Sequence, residues 1–152
     1  MSSVPKKPLV LIASDHAALE LKASLQKLLP EFEWKDLGPA AGTKVDYPDY
    51  AEKLCRELHA TPGAMGVLLC GSGIGMSIAA NKISGIRAAL VENPVSARLA
   101  REHNDANVLC LGARLVAPEY AAEITRTFLS TAASTDPRHC ARVEKIRKLE
   151  SH

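Results

Sequence analysis

The sequence predicts an α/β fold, a doubly wound three-layer αβα Rossmann-like sandwich with a five-stranded parallel sheet. Short apolar runs alternate five times with amphipathic stretches. That alternation builds strand–helix–strand units with helices on both faces of a parallel sheet. Three of the amphipathic stretches open on a proline (Pro48, Pro94 and Pro118), a residue suited to a first helical turn. Composition agrees. At 152 residues the chain has the length of one domain, spanning 1–152, and 47% of its residues are hydrophobic but only 4% aromatic. Its core must be aliphatic, and a chain of this size needs no disulfide or metal to fold.

Leu9 to Ala13 reads as a buried strand. Ala17 to Leu29 carries Leu21, Leu25 and Leu28 at helical spacing and stops at Pro30. Phe32 to Leu37 alternates, as an edge strand does. Gly38 to Tyr47 is a loop, and Pro48 to His59 a helix. Gly66 to Cys70 is the third strand, followed by a glycine-rich turn and a helix to about Lys82. Ile86 to Val91, Pro94 to His103, Val108 to Leu111 and Pro118 to Leu129 continue the alternation. Ser130 to Pro137 is a small-residue linker, and Arg138 to Leu149 a last helix placed to reach a partner subunit.

Nineteen basic residues against seventeen acidic leave a formal charge of +2. Basic residues gather near the end (Arg138, Arg142, Lys145, Arg147, Lys148), but Glu144 and Glu150 interrupt them, which disfavours a nucleic-acid partner but not a small anionic ligand. No run approaches ~18 apolar residues, so no membrane span is expected. The N-terminus has no signal-peptide pattern, and Glu150-Ser151-His152 is no recognised address. The expected location is cytoplasmic. Cys55, Cys70, Cys110 and Cys140 show no zinc-site spacing and read as free thiols of a reducing compartment. No metal is expected.

In doubly wound sheets ligands bind beyond the carboxyl ends of the strands. That rule selects Ser14-Asp15-His16, Cys70-Gly71-Ser72-Gly73-Ile74-Gly75 and Gly112-Ala113-Arg114. The glycine run is the most informative. Its backbone can turn N–H groups inward at a helix N-terminus, which makes an anion site. It is not a dinucleotide fingerprint, since it follows the third strand, and it lacks the lysine of a P-loop. A helix N-terminus favours the thiolate of Cys70, which serves as nucleophile or general base. Cys70 reads equally well as a small buried residue ending a strand. Cys55 and Cys110 read only as core. Asp15 suits a helix cap and also a ligand contact, and His16 would face the same crevice. Asp46 and Tyr47 stand at a loop-to-helix junction. His103 and Asn104 end a helix, where both residue types are ordinary. Arg138, His139 and Arg142 share one helical face that suits a phosphate, though such faces are usually just solvated.

Together these segments resemble the type B ribose-5-phosphate isomerases, in the wider family that includes allose-6-phosphate and galactose-6-phosphate isomerases. The resemblance rests on Ser14-Asp15-His16-Ala17, on Asp46-Tyr47-Pro48-Asp49-Tyr50-Ala51 and on the run from Cys70 to Lys82. It continues through Gly85 to Ala89, His103-Asn104-Asp105-Ala106-Asn107, Leu111 to Arg114 and Arg138-His139 with Arg142. It covers about Val10 to Ile146.

The resemblance implies a cofactor-free aldose–ketose isomerase of the pentose phosphate pathway that interconverts D-ribose 5-phosphate and D-ribulose 5-phosphate. Cys70 would be the general base between C2 and C1, and the N–H groups of Gly71, Ser72, Gly73, Ile74 and Gly75 would hold the enediolate. Ser72 would hydrogen-bond the thiol or the substrate. The resemblance reverses the ordinary reading of His103, which would open the furanose ring. Asn104 and Asp15 would hold sugar hydroxyls, with Asp46 and Tyr47 lining the pocket. His16, Arg114, Arg138 and Arg142 would bind the phosphate, with His139 beside them. Some members replace the cysteine with a later glutamate; here no acid stands between Ser72 and Met76. The family also implies a homodimer or a dimer of dimers with shared sites. The helix ending at His103 should run away from the ligand end of the sheet, so Cys70 of one chain would meet His103 of the other. Isomerisation of a hexose 6-phosphate, or a non-catalytic sugar-phosphate sensor, are the alternatives.

Overall fold

The structure, a computed structural model, describes residues 4–150. The outermost positions of the expected 1–152 domain, 1–3 and 151–152, lie outside the described residues, and with them the last two residues of the C-terminal tripeptide. Five strands form one parallel sheet: Leu9–Ser14 (β1), Glu33–Asp36 (β2), Met65–Cys70 (β3), Ala88–Leu90 (β4) and Val108–Gly112 (β5). The helices are Leu19–Leu28 (α1), Tyr47–His59 (α2), Ile74–Asn81 (α3), Pro94–Asn104 (α4), Pro118–Ser130 (α5) and Pro137–Lys148 (α6). Strand order is β2-β1-β3-β5-β4. The chain leaves β1 toward β2 and returns on the other side as β3, so the crevice of the fold opens between the carboxyl ends of β1 and β3. Asp15 and Cys70 stand there.

The two faces of the sheet follow from strand periodicity. Val10 and Ile12 of β1 join one core with Leu21 and Leu25 of α1, Ala97 of α4 and Ile124 and Phe128 of α5. Leu11 and Ala13 point the other way and pack with Leu54 and Leu58 of α2 and Met76 and Ala80 of α3. Successive strand residues face opposite layers, so the central strands are apolar except for the buried Ser14 that ends β1.

Several boundaries differ from the sequence reading, each for a local reason. The first helix opens as a 3-10 turn at His16–Ala18, because the Asp15 carboxylate accepts from the Ala17 N–H at 2.9 Å and tightens the chain. Strand β4 is three residues rather than six. Ile86 is held in a turn by Ile83, and the Arg87 N–H donates to the Asn107 side chain, so the ladder starts only at Ala88. Helix α2 begins at Tyr47 rather than Pro48. The last helix packs on α4 of its own chain, and no residue of it is buried. Its far end is pinned by Glu150, which accepts from the Ser84 hydroxyl at 3.0 Å and the Gly85 N–H at 2.9 Å. No helix among the described residues is long and apolar enough to cross a membrane.

Candidate active site

The cleft at the β1–β3 switch point is about 500 Å3 and open. Asp15, Tyr47, Cys70, Gly71, Ser72, Ile74, Gly75, Ile78, Arg114 and Leu115 line it. Its geometry is set by the loop after β3. The Gly73 N–H donates to the Cys70 sulfur at 3.1 Å, turning the thiol toward the loop. Gly73 has φ +77, and a Cβ there would lie 2.8 Å from the Leu111 carbonyl carbon. Only glycine fits that turn against β5. The loop is stitched to the next strand end by the Ala113 N–H on the Cys70 carbonyl at 2.9 Å and the Arg114 N–H on the Gly71 carbonyl at 3.0 Å.

Bare backbone at the neighbouring glycines admits two large side chains. The Arg114 guanidinium lies over Gly71, where a Cβ would sit 3.0 Å from Nη1. The Tyr47 ring lies on Gly75, where a Cβ would sit 2.6 Å from Cε2. Ser72 does not bond the thiol, a correction to one of its two expected roles. Its hydroxyl oxygen accepts from the Ile74 N–H at 3.3 Å, and the sulfur is already taken by Gly73. The N–H groups of Gly71, Ser72 and Gly75 have no protein acceptor among the described residues. They remain able to donate to an oxyanion. Asp15 is almost wholly buried. One of its oxygens caps the turn at Ala17, which leaves the other for a ligand.

The remaining sequence candidates lie elsewhere in the chain. His16 turns to the 38–46 loop, where Nδ1 stands 3.1 Å from the Val45 carbonyl and 3.2 Å from its N–H. It lines an adjoining cavity with Asp46. His103 lies at the last turn of α4 and stacks on His139 of α6, with ring centroids 4.3 Å apart and planes at 12°. This pair lines a separate cavity of about 290 Å3 with none of the residues around Cys70. Asn104 lines a larger groove of about 740 Å3 beneath α6. Arg138 is exposed, with its guanidinium 3.3 Å from Asp136, and Arg142 is exposed one turn further along. Thus Cys70, the glycine loop, Asp15, Tyr47 and Arg114 come together, while His103 and the α6 residues form a second cluster in the same chain.

Sequence reasoning missed the residues that shape the second cluster. Asp105 has φ 45 and ends α4. Its carboxylate is held by Arg101 at 2.9 Å and Arg87 at 3.1 Å. Asn107 binds the Arg87 N–H and the Gly85 carbonyl. The His-Asn-Asp-Ala-Asn run is therefore partly a lock that fixes the end of α4. The i,i+4 spacing of Arg101 and Asp105 was the available signal, and Arg87, 18 residues back, gave none.

The other thiols behave as core. Burial pushes the Cys55 thiol up to about 12. Burial, with Cys55 and Cys70 nearby, pushes Cys110 higher still. Neither can supply a thiolate near neutral pH.

Comparison with known proteins gives a consistent result. Residues 10–146 match the family model described as Ribose/Galactose Isomerase. A relative from Mycoplasma pneumoniae, described as a probable ribose-5-phosphate isomerase B, is 47% identical over 144 residues, covering 93% of this chain and 94% of that protein. The solved type B ribose 5-phosphate isomerase of Trypanosoma brucei superposes with a TM-score of 0.90 at 45% identity, covering 95% of this chain and 99% of that one. A ribose 5-phosphate isomerase from Thermotoga maritima superposes with a TM-score of 0.88 at 48% identity, covering 93% and 98%.

Proposed function

Because this chain belongs to the ribose/galactose isomerase family, we propose that it interconverts D-ribose 5-phosphate and D-ribulose 5-phosphate through an enediolate. The observation that carries the reading is the convergence of Cys70, three uncommitted loop N–H groups, Asp15 and Arg114 on one cleft. A sensor needs the anion site but no base beside it.

Cys70 removes the proton from C2 of the open aldose and returns it to C1, while the proton of the C2 hydroxyl passes to O1 and leaves C2=O. The negative charge that moves onto the carbonyl oxygen meets the N–H groups of Gly71, Ser72 and Gly75. Donors aimed at charge that develops in the transition state are worth about 3 kcal/mol each. Asp15 and Tyr47 hold the sugar. Arg114, beside the Gly71 backbone, faces the phosphate, and His16, turned toward Val45, borders it.

The working enzyme is a homodimer or a dimer of dimers, with shared sites. Two observations support this. His103 and Cys70 lie in separate cavities of one chain. The rim of the Cys70 cleft also exposes Ile74, Ile78 and Leu115 by more than half, an apolar border suited to burial against another chain. His103 of a second chain then opens the ring and Asn104 binds a hydroxyl. Arg138, His139 and Arg142 travel with that His103, because α6 packs on α4 within each chain. The enzyme acts in the cytoplasm.

The test is turnover of ribose 5-phosphate in buffer containing a chelator, with Cys70→Ala alongside. Ribulose 5-phosphate formed by the wild type and not by the variant supports the reading. Turnover of allose 6-phosphate instead would move the substrate to the hexoses, and binding of sugar phosphates without turnover would mark a sensor.

A further inference from the structure

His139 carries an imidazole parallel to that of His103, at 4.3 Å between ring centroids and 12° between planes. Its backbone is held rigidly. The Asp136 carbonyl accepts from the N–H groups of His139 and Cys140 at 3.0 and 3.1 Å, and Ser134 ties the preceding linker to the Glu102 carbonyl at 3.2 Å. No hydrogen bond to either imidazole ring accompanies the stack among the described residues. Histidines that move protons are ordinarily oriented by a hydrogen bond on the second ring nitrogen. Here a flat ring face takes that part, and both nitrogens of His103 stay available.

We propose that His139 is a positioning residue for ring opening, fixing the plane of His103, and is not a ligand of the phosphate. This rests on the isomerase reading above. In ring opening the anomeric hydroxyl loses its proton as C1=O forms. The C1–O4 electron pair goes to O4, which gains a proton. Both transfers lie near one plane, so an imidazole free to rotate about its side-chain bonds would spend little time aligned with them. The two roles for His139 predict different substrate dependences. A phosphate contact matters to every substrate carrying the phosphate. A ring-orienting contact matters only to a sugar that must be opened.

The experiment compares wild type, His139→Ala and His139→Phe on two substrates. One is ribose 5-phosphate. The other is its 4-deoxy analogue, which keeps the phosphate but lacks the hydroxyl that closes the furanose. His139→Ala is expected to lower kcat/KM for ribose 5-phosphate about tenfold and to leave the open-chain analogue within about twofold. His139→Phe, which keeps a flat ring but cannot bind phosphate, is expected to restore most of the loss. Equal losses on both substrates, or no restoration by phenylalanine, would overturn the positioning role while leaving the isomerase reading intact. Wild-type protein that does not isomerise ribose 5-phosphate would overturn the isomerase reading and the inference with it.

Discussion

The Gly73 N–H donates to the Cys70 sulfur at 3.1 Å, and the same glycine has its Cα pressed against the end of β5. One residue therefore shapes the turn and aims the thiol. Gly73→Ala should fail on both counts. Its left-handed φ costs a residue with a Cβ about 1–2 kcal/mol. The Cβ would also meet Leu111 backbone at 2.8 Å and Leu90 at 2.7 Å. Urea unfolding should show a loss of at least ~2 kcal/mol, and turnover should fall with it. An active variant of wild-type stability would contradict this account of the loop.

Gly75 predicts a different outcome, because its neighbour can move. A Cβ at 75 would lie 2.6 Å from the Tyr47 ring, and that side chain is 40% exposed. Gly75→Ala should cost little stability, under ~1 kcal/mol, yet raise KM by displacing Tyr47 from the cleft. Combining it with Tyr47→Ala should produce less than the sum of the two effects on KM, since either change vacates the same position. Strict additivity in steady-state kinetics would show that the two residues do not act through that contact.

Asp105 joins the ends of α4 and β4 by way of Arg101 and Arg87, which are only 11% and 16% exposed. Asp105→Gly relieves a positive φ but leaves two mostly buried guanidinium groups without their shared carboxylate. Charge-assisted hydrogen bonds contribute roughly 1.5–3 kcal/mol each, which exceeds the relief of about 1 kcal/mol at φ. The net effect should be a loss of ~2 kcal/mol in chemical denaturation. A stabilised variant would show that backbone strain, not the ion pairs, dominates this turn.

The architecture was legible in the sequence because it depends on periodicity. The alternation of five strands with helices on both faces follows from apolar runs separated by amphipathic ones, and the glycine run marked the cleft; the strand order β2-β1-β3-β5-β4 leaves no such trace. Two kinds of detail were hidden. Element ends that depend on side-chain hydrogen bonds, such as the late start of β4 at Ala88, leave no periodic trace. Distances between segments far apart in the chain are also invisible. Nothing in the spacing of His103 and His139 says that their rings stack, or that His16 turns to Val45 instead of the thiol cleft.

Lys22 is a further example, a buried cation in a stretch read as an amphipathic helix. Its ammonium lies 2.9 Å from Asp36 and 3.2 Å from the Pro39 carbonyl, anchoring the loop that leads to Tyr47. Burial raises the Asp36 carboxyl. Hydrogen bonds from Lys22, the Gly38 N–H and Gln26 outweigh that and hold it below its ordinary 3.8. A lowered folded-state value means that this stabilisation is present above the unfolded value and is lost as pH falls through the folded one. Asp36→Asn should therefore destabilise the protein near neutral pH by ~1–2 kcal/mol, reduced by the partial exposure of the carboxylate. The gap from wild type should close in acid, as pH falls through the lowered folded-state value of Asp36. Thermal unfolding of both proteins across that range checks it; a gap that persists in acid would assign the effect to something other than the charge.

The central claim is that one site takes Cys70 from one chain and His103 from another. Subunit complementation tests it most directly. Cys70→Ala and His103→Ala are each prepared as nearly inactive protein, then mixed, unfolded and refolded together. A mixed dimer holds one site with both residues intact and one with neither. Random pairing should therefore restore about one quarter of wild-type activity toward ribose 5-phosphate. A mixture no more active than its two components would contradict the shared site.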